Sequence, residues 1–163
     1  LVLLAVSGVG QAAEAPVATI GPSGDTVDLS RRLGDQTVVD HLPLYRAGDV
    51  RYFSAGVGLD ERAETYPPLS LKLVFTAGGK PFLTGVSVTI KPAKGGAAVT
   101  VPADQVDGPW LFIDLPPGVY DLTAVHRDRE QGVKGIKIDA GKRKELQIRW
   151  PEDRGLAKAL PAE

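Results

Sequence analysis

The sequence has no cysteine, no methionine and no asparagine, and only two histidines among 163 residues. Lacking cysteine, it can form no disulfide, thiolate nucleophile or thiol-linked lipid anchor. Lacking asparagine, it offers no N-glycosylation acceptor. His41 and His126 are too few and too far apart for a zinc site, which wants three or four ligands at short spacing. Net charge is also scarce, with 19 Lys and Arg against 20 Asp and Glu. A nucleic-acid partner is therefore not expected, because its footprint is a dense basic stripe. No apolar run reaches the length of a transmembrane helix, so the chain is expected not to span a membrane.

What is abundant is glycine and proline, 19 and 13 residues, which points to many turns and short strands. The start, Leu1 to Val9, is a short apolar run leading into Gly10-Gln11-Ala12. It reads as a signal peptide remnant over 1–12, lacking its initiator methionine and basic region, with cleavage after Ala12. An exported, cysteine-free chain of this composition predicts a bacterial periplasmic protein.

Residues 13–68 read as an N-terminal extension that packs onto the more regular segment beginning at Leu69. Ala13 to Gly24 suggests a flexible leader, Thr37-Val38-Val39 and Val50 to Phe53 suggest strands, and Asp60 is placed to cap a helical turn ending before Pro67-Pro68. From Leu69 the pattern sharpens. Leu69, Leu71, Leu73 and Phe75 alternate with polar residues except at Val74. Six more strands come after it: Val86–Ile90, Ala97–Val101, Trp110–Leu115, the segment of Tyr120, Leu122 and Ala124, Val133–Ile138, and the segment of Leu146, Ile148 and Trp150. Trp110 to Leu115 is apolar on both faces except at Asp114. Seven short strands at this spacing predict an all-β fold, an antiparallel seven-stranded Greek-key sandwich over 69–150. Residues 151–163 read as a polar, flexible C-terminal tail.

Two stretches resemble the carboxypeptidase regulatory-like domain, a transthyretin-like (prealbumin-like) β-sandwich with Ig-like architecture. One is Gly79-Lys80-Pro81-Phe82-Leu83-Thr84-Gly85-Val86-Ser87-Val88-Thr89-Ile90, similar to a G-x-P-L-x-G-V-x-V opening with one residue of offset at Phe82. The other is Trp110 to Ala124, carrying Leu115-Pro116-Pro117-Gly118-Val119-Tyr120. The resemblance implies an accessory module without chemistry of its own. The hydroxyisourate hydrolases, enzymatic relatives of that fold, carry a Tyr-Arg-Gly-Ser segment that this sequence does not show.

No Gly-x-Ser-x-Gly elbow, P-loop lysine or dinucleotide fingerprint is present, Gly56-Val57-Gly58 lacking the third glycine, so neither enzymatic activity nor a cofactor is expected. His41, beside Asp40, and His126 are the residual candidates for a base. Asp104, Asp107, Asp114 and Asp121 are the residual candidates for calcium, without the spacing of a calcium loop. The candidate interaction surface combines Tyr52, Phe53 and Tyr66 of the extension with the basic cluster Lys134, Lys137, Lys142, Arg143 and Lys144. The expected function is contact with another envelope protein, or binding of a small ligand or carbohydrate through the aromatics.

Overall fold

The alternation beginning at Leu69 predicts a strand with one buried face, and in the computed structural model, which describes residues 17–78 and 83–151, this strand starts at Leu71 and lies inside the molecule's middle layer. The strands are β1 (Ala18–Ile20), β2 (Thr26–Leu33), β3 (Gln36–Pro43), β4 (Tyr45–Ala47), β5 (Val50–Ala55), β6 (Leu71–Ala77), β7 (Ser87–Pro92), β8 (Val99–Val101), β9 (Trp110–Ile113), β10 (Gly118–His126), β11 (Arg129–Ile138) and β12 (Lys144–Trp150). One short helix, α1 (Gly58–Ala63), separates β5 from β6. The all-β expectation holds, and the described residues form twelve strands in three sheets rather than a seven-stranded sandwich. The signal-like residues 1–12, the first four residues of the first family-like stretch and nearly all of the C-terminal tail lie outside the described residues.

A four-stranded sheet of order β11-β10-β7-β8 faces a five-stranded sheet of order β12-β6-β9-β5-β4. Between them Leu71, Leu73 and Phe75 of β6, Leu111 and Ile113 of β9, and Ile148 and Trp150 of β12 meet Val88, Ile90, Leu122, Ala124 and Ile136. Burial of this apolar surface is the main force holding the two sheets together. Tyr120 re-enters this core and donates its hydroxyl to the Pro116 carbonyl at 2.7 Å, pinning the Pro116-Pro117-Gly118 turn.

The five-stranded sheet buries its second face too. Phe53, Ala55 and Phe112 turn away from the first core and pack with Ala18, Val27 and Leu29 of the small β1-β2-β3 sheet, and with Leu44, Tyr66 and Leu69. The result is three stacked layers, which is why Trp110–Ile113 is apolar on both sides. Where the small sheet does not reach, Lys72 lays its ammonium 3.8 Å from the Trp110 ring centroid and 3.8 Å from Glu145. Arg143 sits 5.8 Å from the Phe112 ring on that same face.

Three expectations change. β4 and β5 belong to the five-stranded sheet, β5 pairing directly with β9, so a boundary at 68/69 runs through a continuous hydrogen-bonded layer. The sandwich is not wholly antiparallel: β12 runs parallel to β6 from Lys144↔Leu71 to Trp150↔Ala77. A period of two fixes which face a strand buries but not its direction, so this pairing leaves no mark in the pattern. Finally, Ala18–Ile20 is a paired strand rather than leader.

Candidate functional site

The β2-β3 hairpin turns tightly at Gly34-Asp35, with Gly34 at a φ of 61°. Val27 and Leu29 near its base are buried against the middle layer, while Leu33 at its tip is 60% exposed. Its register pairs Val27 with Leu42, Leu29 with Asp40 and Arg31 with Val38, so these residues share the inward face. Beneath that face lies α1. Leu29, Arg31, Asp40 and Leu42 on the hairpin, Val57 just before the helix and Gly58 to Glu61 on it line a cleft of about 180 Å³. Leu59 and Val57 stand at its edge, 81% and 55% exposed.

Polar contacts set the width of the cleft. Arg31 pairs with Asp40 across the hairpin and donates to Asp60 of α1 at 2.9 Å. Asp60 is thus a clasp between layers and not the helix cap; Val57 occupies that position without a side-chain bond. Glu61 instead accepts from the Gly56 and Val57 amides, both at 2.9 Å, steadying the entry to the helix.

Glu64 comes directly after the helix and is buried, with its Oε2 lacking any partner among the described residues, as does Arg31 Nε. Burial pushes the Glu64 carboxyl up; the Arg31 charge opposes this and the Asp60 charge adds to it. The unfolded chain ionises this carboxyl at its ordinary value and the folded chain at a higher pH. The folded state therefore holds more protons between the two, and stability falls as pH rises through that window. Glu64→Gln is expected to be more stable than the parent at neutral pH, and to flatten the fall that sets in above pH 4.5, the ordinary glutamate value. Thermal melts from about pH 4 to about pH 7 check this; equal pH slopes for the two proteins would show no cost in ionising Glu64.

Two other depressions stand out among the described residues. One, of about 500 Å³, lies at the end of the sandwich where the turns around Asp49, Asp114-Leu115-Pro116-Pro117 and Asp139–Arg143 converge. Asp114 there is engaged by Arg51 at 2.9 Å. The other, about 90 Å³, is floored by Trp150 and flanked by His126 and Arg127. Its hairpin turn puts Arg127 and Asp128 in the left-handed region, at φ of 47° and 64°. His126 packs edge-on to Trp150, ring centroids 5.9 Å apart, and burial with the Arg127 charge lowers its pKa.

The histidine candidates separate clearly. His41 Nδ1 lies 2.6 Å from Asp28 Oδ1, so its acidic partner is Asp28 across the strand pair and not the sequence neighbour Asp40. The bonds from His41 and Thr26 hold the Asp28 carboxyl below the usual range. A histidine oriented by an acid is half of a general-base arrangement, yet this pair lies on the hairpin's outward face and lines none of the three depressions.

The carboxylates do not converge. Asp104 lies in a short 3-10 turn, Asp114 binds Arg51, and Asp121 accepts the Gly135 amide at 3.0 Å. Among the described residues no group of three His, Asp or Glu is placed to hold a metal.

The predicted interaction surface is corrected in its aromatic half. Tyr52, Phe53 and Tyr66 are buried: Tyr52 in the sandwich core, Phe53 and Tyr66 in the second core, with the Tyr66 hydroxyl donating to the Glu61 carbonyl at 2.7 Å. Lys134, Lys137, Lys142, Arg143 and Lys144 are exposed, but on two different sheets. Lys134 and Lys137 lie on β11, while Lys142, Arg143 and Lys144 lie at the turn into and the start of β12. The hairpin cleft is hidden from sequence reading because its residues, Arg31, Asp40 and Asp60, are ordinary surface charges until the register brings them together.

Among the described residues no helix is long and apolar enough to cross a membrane. No family model matches the sequence, and a search of curated proteins finds no matching relative.

Proposed function

We propose that this chain is a non-catalytic β-sandwich module, exported to the bacterial periplasm, whose work is to contact another protein of the cell envelope. The observation that carries this reading is the free edge of β3. It is an eight-residue strand with β2 on one side and, among the described residues, no strand on the other. Sheet edges are usually blunted by lysine, proline or bulges because they template pairing with other chains. β3 carries no lysine and only a terminal proline, Pro43; its one inward charge, Asp40, is paired with Arg31, and the strand exposes Val39.

The finer fold reading belongs to the same proposal. Strands β6 to β12 make up a transthyretin-like, carboxypeptidase regulatory-like sandwich, supported by its two facing sheets and by the Tyr120–Pro116 bond, which acts like the tyrosine corner of Ig-like sandwiches. Strands β1 to β5 decorate and extend it. The small-ligand alternative loses its proposed platform, since Tyr52, Phe53 and Tyr66 are core residues.

The test is brief crosslinking in the native cell followed by capture of the tagged chain at moderate salt. A partner recovered near one-to-one is expected. Recovery of nothing above background would overturn the interaction reading.

A further inference from the structure

The tight hairpin turn fixes which backbone groups on β3 are free. In a two-residue turn the flanking residues, here Leu33 and Gln36, bond to one another, and the pattern then alternates. Gln36, Val38, Asp40 and Leu42 therefore bond to β2, and the amides of Thr37, Val39 and His41 point outward. The Leu44 amide bonding to Asp25 at 2.8 Å continues the same phase. Pro43 falls on the outward phase, where its missing amide breaks no bond to β2.

The inward side chains of an added strand would lie beside Val38, Asp40 and Leu42, at the mouth of the cleft over α1. That cleft has apolar edges in Val57 and Leu59, while Asp40, Asp60 and Glu61 outnumber the single cation Arg31 in its lining. Buried alongside are the unpartnered Glu64 Oε2 and Arg31 Nε. Strand addition takes its affinity from main-chain bonds and its selectivity from pockets for alternate side chains. The excess of carboxylates selects basic side chains and Leu59 selects apolar ones.

We propose that β3 and the cleft beneath it receive an extended peptide segment of a partner protein, carrying both apolar and basic side chains, as a fourth strand of the small sheet. This rests on the proposed interaction function and names the surface and chemistry through which it works.

The probe is a fluorescein-labelled octapeptide of alternating lysine and valine, compared with its glutamate–valine counterpart by fluorescence anisotropy against the full chain. The lysine peptide is expected to bind at least about tenfold more tightly than the glutamate peptide, a difference of about 1.4 kcal/mol. Val39→Pro removes one outward amide without breaking a bond to β2 and should weaken binding about tenfold or more, with the thermal midpoint little changed. Asp60→Lys, at a side chain 73% exposed, should weaken the lysine peptide and improve the glutamate peptide.

Equal affinity for both peptides, or full affinity in a folded Val39→Pro chain, overturns the proposal. So does a chain that dimerises without peptide and becomes monomeric on Val39→Pro, which would assign the edge to a second copy. Repeating the in-cell capture with Val39→Pro separates the two levels of argument. A partner kept undiminished sinks this surface but leaves the interaction reading standing, while no partner for either chain sinks the interaction reading itself.

Discussion

Replacing Phe112 by alanine is expected to lower the unfolding free energy by about 3–5 kcal/mol, the range for large aromatic truncations in packed cores. Phe112 is 1% exposed and stacks on Phe53, centroids 4.7 Å apart and planes within 8°. It also meets the Tyr66 ring at 5.0 Å. The ring thus belongs to the second core, in which Ala18, Val27 and Leu29 of the β1-β2-β3 sheet also pack, and the loss should be uneven. Amides of Thr26–Leu33 should exchange faster by local opening, while those of Leu71–Ala77 lose protection only with global unfolding. Phe75→Ala, on the opposite face of the same sheet, should cost a similar amount but loosen both sandwich sheets together. Urea unfolding with site-resolved hydrogen exchange distinguishes the two. Identical exchange profiles in the two variants would show that the small sheet has no separate anchorage.

The second large effect is expected at Gly108. A Cβ there would lie 2.7 Å from the Ala55 carbonyl carbon and still closer to its oxygen. Both are backbone atoms of β5, so no side-chain rotation relieves the contact. Ser54 further locks the crossing, its Oγ accepting from the Gly108 amide at 2.9 Å and lying 3.0 Å from the Trp110 carbonyl. Gly108→Ala is expected to destabilise by about 3 kcal/mol, the upper end of overpacking effects, because the β5–β9 pairing must spread. Gly56→Ala meets a different obstacle, a φ of 94° and a Trp110 ring atom 2.9 Å away. A denaturation midpoint for Gly108→Ala within error of the parent would show that this crossing can relax freely.

These sites illustrate what the sequence discloses and what it conceals. The alternation of Leu69, Leu71, Leu73 and Phe75 is legible because Ser70, Lys72 and Thr76 are polar and Val74 alone breaks it, and the seven segments read from Leu69 to Trp150 all appear as strands. Phe112 is harder. Its neighbours Leu111 and Ile113 serve the first core while it serves the second, and a run apolar on both sides does not say what lies on either. Tyr52 and Phe53 mislead for the same reason, since adjacent buried aromatics on opposite faces look like an exposed sticky patch. The β2-β3 hairpin is masked by Arg31, Arg32, Asp35 and Asp40, whose charges belong to an overhanging ribbon. Of the candidate cleft, only Asp60 and its helical turn are legible in the sequence, and the tie from Asp60 to Arg31 depends on tertiary contact.

The parallel docking of β12 on β6 also bears on how the chain is made. As synthesis proceeds from the N-terminus, β5 has no central neighbour until β9 exists, and β6 keeps an open side until β12 has been completed. Ile148 and Trp150, the last of these to arrive, close a core that Val50 and Tyr52 began. Such long-range pairings fold slowly, because loop closure precedes its reward. A fragment ending before Lys144 lacks the strand that pairs with β6, and its middle sheet is left with β6 as an unpaired edge.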